Sequence, residues 1–454
     1  MASTYLTRTS VTPTNAQKGT ISLWVKRTGL SSTSKGRFFM NHLNSTSYGY
    51  TDFTGGDKLR CAIDDPSTVS IQTNRLFRDT SAWYHIVWSI DTTENTASDR
   101  VKLYVNGVQE TSFQVATYPN QNITLNLFNT SVSNGQVIGS YYTGSSYSGA
   151  FEGLISHYNF IDGTAYPASA FGETDTTTGQ WKIKTELSVT YGNNGFFILK
   201  NGNSLTDQSG EGNDFTLGAG TLTNTLDCPD NVFATLNSLD NYYAGGTFAN
   251  GNNTVTTINT GYTYNTSTFG VATGKWYWEC KWSAQPTGSS DQVQIGIAKR
   301  PAPSSTTWLG QQLYTYGYQG SSGHVQNNNV NASGSVATPY SVGDIISVAM
   351  DLDNNKIHFA KNGAWTNSSD PAANSGGVTI TAPDSTPEDS GVYFAAFGDA
   401  NNNLQETGQF NFGNGFFGTS AVADNSTATA STPGTFNYDV PTGYQPLSTK
   451  GLNA

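Results

Sequence analysis

A chain of 454 residues is longer than one hydrophobic core usually serves, so two domains are expected. Charged residues make up only 12%, about half the ordinary share. The net charge of -11 with 22 Lys and Arg leaves no basic stripe to follow a phosphate backbone, which excludes nucleic acid as a partner. The 48 Gly, 24 Tyr, 23 Phe and 9 Trp describe a turn-rich β chain with large aromatic cores, not a disordered one.

The opening Met1-Ala2-Ser3-Thr4-Tyr5 lacks the basic and apolar regions of a secretory leader, and no run approaches the roughly 20 apolar residues of a membrane span. Synthesis in a cytoplasm without a signal peptide is therefore expected. Cys61, Cys228 and Cys280 have no paired spacing and read as buried thiols.

Taken in chain order, Ile21 to Val25 alternates as a strand should. In Trp83 to Asp91, Tyr84, Ile86, Trp88 and Ile90 share one face, with His85, Ser89 and Asp91 on the other. Val101 to Val105 repeats the pattern and ends in Asn106-Gly107, a hairpin signal. Phe151 to Phe160 returns as a further strand and Ile161-Asp162-Gly163 turns out of it. This N-terminal module spans 1–183. Residues 184–240 read as a bridging segment packing on one or both modules, with turns at Tyr191 to Gly195 and at Asp207 to Asp214. The latter loop offers oxygen ligands of the kind calcium takes, but it lacks EF-hand spacing, which favours reading it as a tight connection and not a cofactor site. No other cofactor is implied.

The second module spans 241–420 and repeats the signature of the first. Trp276, Trp278, Cys280 and Trp282 alternate with Tyr277, Glu279 and Lys281; Ile345 to Asp351 then pairs back through Asp353 to Lys356 with Ile357 to Phe359, and Asn362-Gly363 follows. Ile346, Val348, Met350, Leu352, Ile357 and Phe359 are the expected core of that hairpin. A C-terminal extension occupies 421–454. The fold class is all-β: two antiparallel β-sandwich (jelly-roll) domains joined by the bridging segment.

The Trp-x-His strand, the Tyr104-Val105-Asn106-Gly107 hairpin and the Gly153-Leu154-Ile155 return strand resemble the laminin-G-like or concanavalin-A-like family. That resemblance implies a jelly roll with a glycan or protein site on one rim. Gly274 to Glu279, Gln294 to Ile297, Gly343-Asp344, the Asp351 to Gly363 hairpin and Phe410 to Gly413 resemble the SPRY family, a protein-binding fold. The pairing resembles tailed-bacteriophage proteins, marine ones especially, through Phe160 to Pro167 with Phe171-Gly172-Glu173, Tyr191 to Phe196, Asp227 to Asn237 and Val440 to Thr449. It implies a component of the virion surface, either a decoration of head or tail or part of a tail fibre. Other virion proteins, a host-surface glycan or receptor, and a second copy of the chain are the implied partners.

Catalytic chemistry finds no constellation in the sequence. A glycan hydrolase needs two carboxylates about 5 to 9.5 Å apart, and no Glu-x-Asp-x-x-Glu run is present. Gly320-Ser321-Ser322-Gly323 lacks nucleophile-elbow spacing. His42, His85, His157, His324 and His358 form no metal-binding pair. The protein is expected not to be an enzyme. Aromatic loops are the remaining candidates for a binding surface. Trp308, Tyr314, Tyr316 and Tyr318 lie among Gln311, Gln312, Gln319 and Asn327 to Asn329, where rings could stack on a neutral glycan while amides bond its hydroxyls. Trp365, Tyr141, Tyr142 and Tyr147 are further candidates. The competing reading puts these rings in the core or in an interface. The functional alternatives are a carbohydrate-binding or depolymerising tail protein and a cytosolic SPRY-type adaptor. Asn-x-Ser/Thr triplets such as Asn44-Ser45-Thr46 and Asn265-Thr266-Ser267 are chance in so Asn-rich a chain.

Overall fold

The computed structural model describes the chain except residues 1–3, 31–34, 45–46, 65–68, 129–134, 241–244, 286–291, 333, 335–336, 384–389, 401–404, 423–432 and 454. Met1 to Ser3 of the opening segment, and Ser45 and Thr46 of the triplet at Asn44, lie outside the described residues. Among those described there is no α-helix, only four single 3-10 turns, and no helix is long and apolar enough to cross a membrane. The chain divides into two compact units, Met1–Asn224 and Thr225–Ala454.

The N-terminal unit is a sandwich of two antiparallel sheets. The larger has eight strands in the order Phe113–Thr117, Val69–Thr73, Leu59–Asp64, Ser47–Phe53, Lys35–Asn44, Gln136–Ile138, Tyr5–Arg8 and Thr216–Ala219. The smaller has six, in the order Phe196–Ile198, Gly153–Asp162, Lys18–Arg27, Trp83–Asp91, Val101–Val105 and Val108–Glu110. Trp88, Ile86, Ile90 and Leu103 from the smaller sheet meet Phe39, Phe53, Leu59, Cys61 and Ile71 from the larger in one wholly buried core. The period-two alternation of Trp83–Asp91 thus sends its apolar face inward, as the spacing predicts.

Residues on the opposite face of the smaller sheet are buried too, because the chain from Ile161 to Phe197 folds back over it. Val87, Ile161, Ala168, Phe171, Tyr191 and Phe197 form this outer layer, with Trp181 packed against it. Trp181 Nε1–H donates to His85 Nδ1 at 2.9 Å, which leaves His85 Nε2–H for Ser22 Oγ at 3.0 Å. Burial pulls the His85 imidazole down to about 3, so it is a neutral structural link.

The segment 184–240, expected to bridge the modules and pack on one or both, divides between the two units at Asn224 and Thr225. Phe196–Ile198 pairs with Gly153–Asp162, and Thr216–Ala219 pairs with Tyr5–Arg8, so both complete the N-terminal sheets. Residues from Thr225 onward belong to the second unit. The Asp207 loop is a closed turn: the Asp207 carboxylate accepts from the backbone N–H groups of Phe197, Ser209 and Asn213 and from Ser209 Oγ. Its Asp, Asn and Gly residues are accounted for by turn geometry.

The C-terminal unit is a second sandwich. Its larger sheet runs Thr247–Ala249, Thr254–Thr256, Thr407–Asn411, Lys275–Ala284, Ile345–Asp351, Lys356–Lys361 and Ala364–Trp365. The other runs Thr263–Val271, Tyr393–Asp399, Val293–Ala298, Thr315–Gln319, Val325–Asn327 and Val330–Asn331. Trp276, Trp278, Cys280 and Trp282 join Ile346, Val348, Met350, Ile357 and Phe359 in the core. Asn265, Thr266 and Ser267 are buried within a strand, out of reach of a glycosylating enzyme. Of the three thiols, Cys61 and Cys280 are buried and Cys228 is only partly so; Cys228 sits in a turn whose own backbone pairs Cys228 with Asn231.

The outer face of this larger sheet is covered as well. The C-terminal segment brings Phe436, Val440 and Tyr444 onto Tyr277 and Ala349, and Gln445–Pro446 lies parallel to Trp276 and Tyr277. The Glu279 carboxylate fastens it, accepting from Asn437 N–H at 2.9 Å, Tyr438 N–H at 2.8 Å, Tyr277 O–H at 3.1 Å and Asn411 Nδ2–H at 3.2 Å. Burial raises Glu279 to about 7, against the opposing pull of those donors. The stretches 227–237 and 440–449 meet here: Ala234 N–H donates to Leu447 O at 2.8 Å, and Thr449 N–H to Val232 O at 2.9 Å.

The two Asn-Gly signatures play the same part in both units. Asn106 and Asn362 have φ of 48° and 50°, and Gly107 and Gly363 follow at 80° and 82°, the left-handed pair that a two-residue hairpin turn requires. Each Asn also bonds the neighbouring strand twice: Asn106 with His85 N–H and O, and Asn362 with Ile345 N–H and O. A ring from the covering segment then lies on each glycine. A Cβ at Gly107 would stand 2.4 Å from Trp181, and one at Gly363 would stand 2.7 Å from Tyr438.

Candidate functional site

The aromatic surface expected in the C-terminal unit does not form as an exposed array. Tyr316 and Tyr318 share a face of Thr315–Gln319, as their spacing predicts, but that face is the core, where they are 4% and 1% exposed. Tyr316 Oη meets Thr381, and Tyr318 O–H donates to Thr338 O. The physical reason for this correction lies in the strand's other face, which carries Thr315, Gly317 and Gln319; the polar set faces away from the apolar layer, so the rings must face in. Trp308 and Tyr314 are half-buried and separately engaged. Trp308 packs edge-on to Tyr262 with centroids 5.5 Å apart. Tyr314 lies under Arg300, whose Cζ is 4.2 Å from the ring centroid. Two of the surrounding amides are occupied: Asn327 Nδ2–H donates to Leu313 O and Thr315 O, and Gln319 Nε2–H to Gln292 Oε1. Trp365 packs on the covering layer formed by the C-terminal segment and stands edge-on to His358.

Tyr141, Tyr142 and Tyr147, by contrast, converge. They lie on a short hairpin, Tyr141–Tyr142 against Tyr147–Ser148, in which Tyr142 and Tyr147 are direct cross-strand partners. Thr143 closes its turn by accepting from Ser146 N–H with Oγ1 and donating its own N–H to Ser146 O. The hairpin packs on the outer face of the eight-stranded sheet, over Met40, Tyr50 and Val137, with Tyr48 and Ala62 beside them.

Alternation within Ser47–Phe53 explains that face. Gly49, Thr51 and Phe53 point to the core, where Gly49 lies against Leu127, so Tyr48, Tyr50 and Asp52 point out. Arg60 stands opposite Asp52 and binds it with two bonds, Nε–H to Oδ1 at 3.0 Å and Nη2–H to Oδ2 at 2.6 Å.

Two ring systems result. In one, Arg37 is clamped between Tyr50 and Tyr141, its Cζ 3.6 and 3.7 Å from their centroids, with Tyr48 stacked beside Tyr50 at 6.0 Å. In the other, His42, Tyr142, Tyr147 and Tyr5 follow one another with centroids 4.8, 4.6 and 4.0 Å apart. Tyr5, Tyr48, Tyr141, Tyr142 and Tyr147 are all partly exposed. Burial lowers His42, keeping that imidazole neutral near pH 7. The face therefore offers ring planes, phenol hydroxyls and guanidinium groups together, the equipment for stacking on a sugar and bonding its substituents. Sequence reasoning missed Tyr5, Arg37, His42, Tyr48 and Tyr50. The Tyr48-x-Tyr50-x-Asp52 alternation was the available signal, since a carboxylate in that series marks its face as the outer one.

Among the described residues, no group of three His, Cys, Asp or Glu side chains could hold a metal ion.

Two covered sandwiches, one displaying an aromatic face, define a protein built of binding-module folds. Residues 2–169 match the family described as the concanavalin A-like lectin/glucanases superfamily, and residues 275–415 match the SPRY domain. A concanavalin A-like domain is thus followed by a SPRY domain. None of the curated proteins matches the chain. Among solved structures, the SPRY domain of human HERC1 is similar at 16% identity, covering 38% of this chain and 96% of that one with a TM-score of 0.30. A human SPRY domain is similar at 15% identity, with coverages of 35% and 90% and a TM-score of 0.24. The TRIM65 PSpry domain is similar at 12% identity, with coverages of 39% and 91% and a TM-score of 0.28.

Proposed function

We propose that this is a non-enzymatic surface protein of a phage particle, a decoration of head or tail or a tail-fibre component, that holds a host-surface glycan on the tyrosine-lined face of its N-terminal domain. The observation that carries the binding role is the double ring system on that face, assembled from three strands and a hairpin and left partly open. A non-catalytic role is supported by the state of Asp52, the carboxylate of the face, which Arg60 already holds in a bidentate pair. The virion setting is supported by the sequence resemblance of 160–173, 191–196, 227–237 and 440–449. Those stretches lie in the covering layers and cores of the two domains, so they speak for shared architecture more than for a shared ligand.

The test has two arms. Host envelope polysaccharide is presented to the full chain and to a Tyr141→Ala, Tyr142→Ala variant; the native chain should bind without releasing reducing ends, and the variant should bind at least about tenfold more weakly, a loss near 1.4 kcal/mol. Released reducing ends would replace this reading with a depolymerase. The second arm locates the chain in a reconstruction of the intact particle, and its absence there would remove the virion assignment.

A further inference from the structure

We infer that the tyrosine-lined face selects polysaccharides carrying sugar carboxylates, with Arg37 as the residue that recognises the acid. The inference rests on the glycan reading above and adds the chemical class of the ligand.

Arg37 is placed unlike the other six arginines of its domain. Arg8 is satisfied by oxygens of Gln136, Asn194 and Asn213, and Arg100 by the carbonyls of Glu94, Asn95 and Pro119. Arg27, Arg60, Arg75 and Arg78 each pair with a carboxylate. Among the described residues Arg37 has no carboxylate partner; its hydrogen-bond partners are the Met40 sulfur at 3.4 Å and the Tyr50 hydroxyl, one weak acceptor and one neutral one for five N–H donors. Asp52, the nearest acid, is taken by Arg60.

The clamp also fixes the direction of approach. Tyr50 and Tyr141 cover both faces of the guanidinium plane, so an anion must come to its edge, where a planar carboxylate makes paired N–H···O bonds. Tyr142 and Tyr147 follow on the same hairpin with their rings 4.6 Å apart, and supply a stacking surface for another sugar of the same polymer.

The experiment measures binding of the full chain to polygalacturonate, to the same polymer with its carboxylates reduced to alcohols, and to dextran sulfate. Native protein should prefer polygalacturonate over its reduced form by roughly tenfold or more, with a preference that weakens as salt rises. Arg37→Gln should abolish the preference and Arg37→Lys should retain part of it. Should Arg37→Gln fail to fold by its melting curve, Arg37→Lys and the salt series of the native protein decide. Equal binding of the two polymers by native protein, a preference that survives Arg37→Gln, or dextran sulfate bound as well as polygalacturonate would overturn the inference. If that equal binding is still lost in the Tyr141→Ala, Tyr142→Ala variant, the glycan reading stands without the acid preference. No binding of any polymer, or binding indifferent to the tyrosine pair, overturns both.

Discussion

The two domains each contain a Tyr-Gly-Tyr strand, and they use it in opposite ways. Tyr48-Gly49-Tyr50 turns its rings outward and packs its glycine against Leu127 in the core; Tyr316-Gly317-Tyr318 turns its rings into the core and leaves its glycine against the backbone of Leu309. The tripeptide is identical, so the residues two places on make the choice. Asp52 continues the tyrosine series in the first strand and Phe53 the glycine series, whereas Gln319 continues the glycine series in the second. A one-residue change of parity moves the pair from the core to the outer face, where Tyr48 stays partly exposed and the Tyr141–Ser148 hairpin covers Tyr50.

Breaking the inward pair should have the largest effect. Tyr318→Ala should cost the C-terminal domain about 3–5 kcal/mol, read as a fall in its own melting transition while the N-terminal transition stays in place. An equal fall in both would mean that the units do not unfold separately.

The pH dependence of the two domains should differ next. His85, held near 3, binds no proton over a range in which an unfolded histidine at about 6.5 does. It therefore makes the N-terminal domain more stable as pH rises from about 3 to 6.5, a contribution lost again on acidification. In the C-terminal domain His358, lowered to about 4 by burial, acts in the same direction. Glu279, raised from 4.5 to about 7, acts against it, because the folded state binds the extra proton and that contribution is lost as pH rises through 7. The C-terminal domain should show a shallow slope, and Glu279→Gln should steepen it upward by an amount on the order of 2 kcal/mol between pH 4.5 and 7.5. Denaturant unfolding at those two pH values is the measurement, and an unchanged slope would show Glu279 to be ionised throughout.

Smaller effects concern the turns and the outward pair. Gly107→Ala forces a Cβ into the Trp181 ring at positive φ and should destabilise the N-terminal domain by about 1–3 kcal/mol, visible as a lower melting temperature. Tyr48→Ala, at the margin of the displayed rings, should change stability by less than about 1 kcal/mol, and a loss as large as that of Tyr318→Ala would dissolve the distinction between the pairs.

Much of the fold was legible because period-two alternation and the Asn-Gly turns are local. The faces of Trp83–Asp91 and Lys275–Ala284 follow directly from which alternate residues are apolar. The site was less legible for two reasons. Alternation says that Tyr316 and Tyr318 share a face without saying which, and only the polar partners on the strand settle it. The displayed face is also assembled across long range: Tyr5 reaches Tyr147, Arg37 reaches Tyr50 and Tyr141, and His42 stands opposite Tyr48. No periodicity in one chain specifies such pairings. The segment 184–240 was obscure for the same cause, since its two strands find partners at Gly153–Asp162 and Tyr5–Arg8.

The backbone pairing of Val232 and Ala234 with Leu447 and Thr449 also bears on the order of events at the ribosome. The N-terminal domain has all its sheet strands once Thr216–Ala219 has been made and can fold while translation continues. The C-terminal domain must keep its first stretch, Asp227 to Asn237, waiting until Leu447 and Thr449 emerge, at about 5–20 residues per second. Its nascent form spends on the order of ten seconds with the outer face of its larger sheet uncovered, the interval in which a chaperone or a premature contact between copies would act.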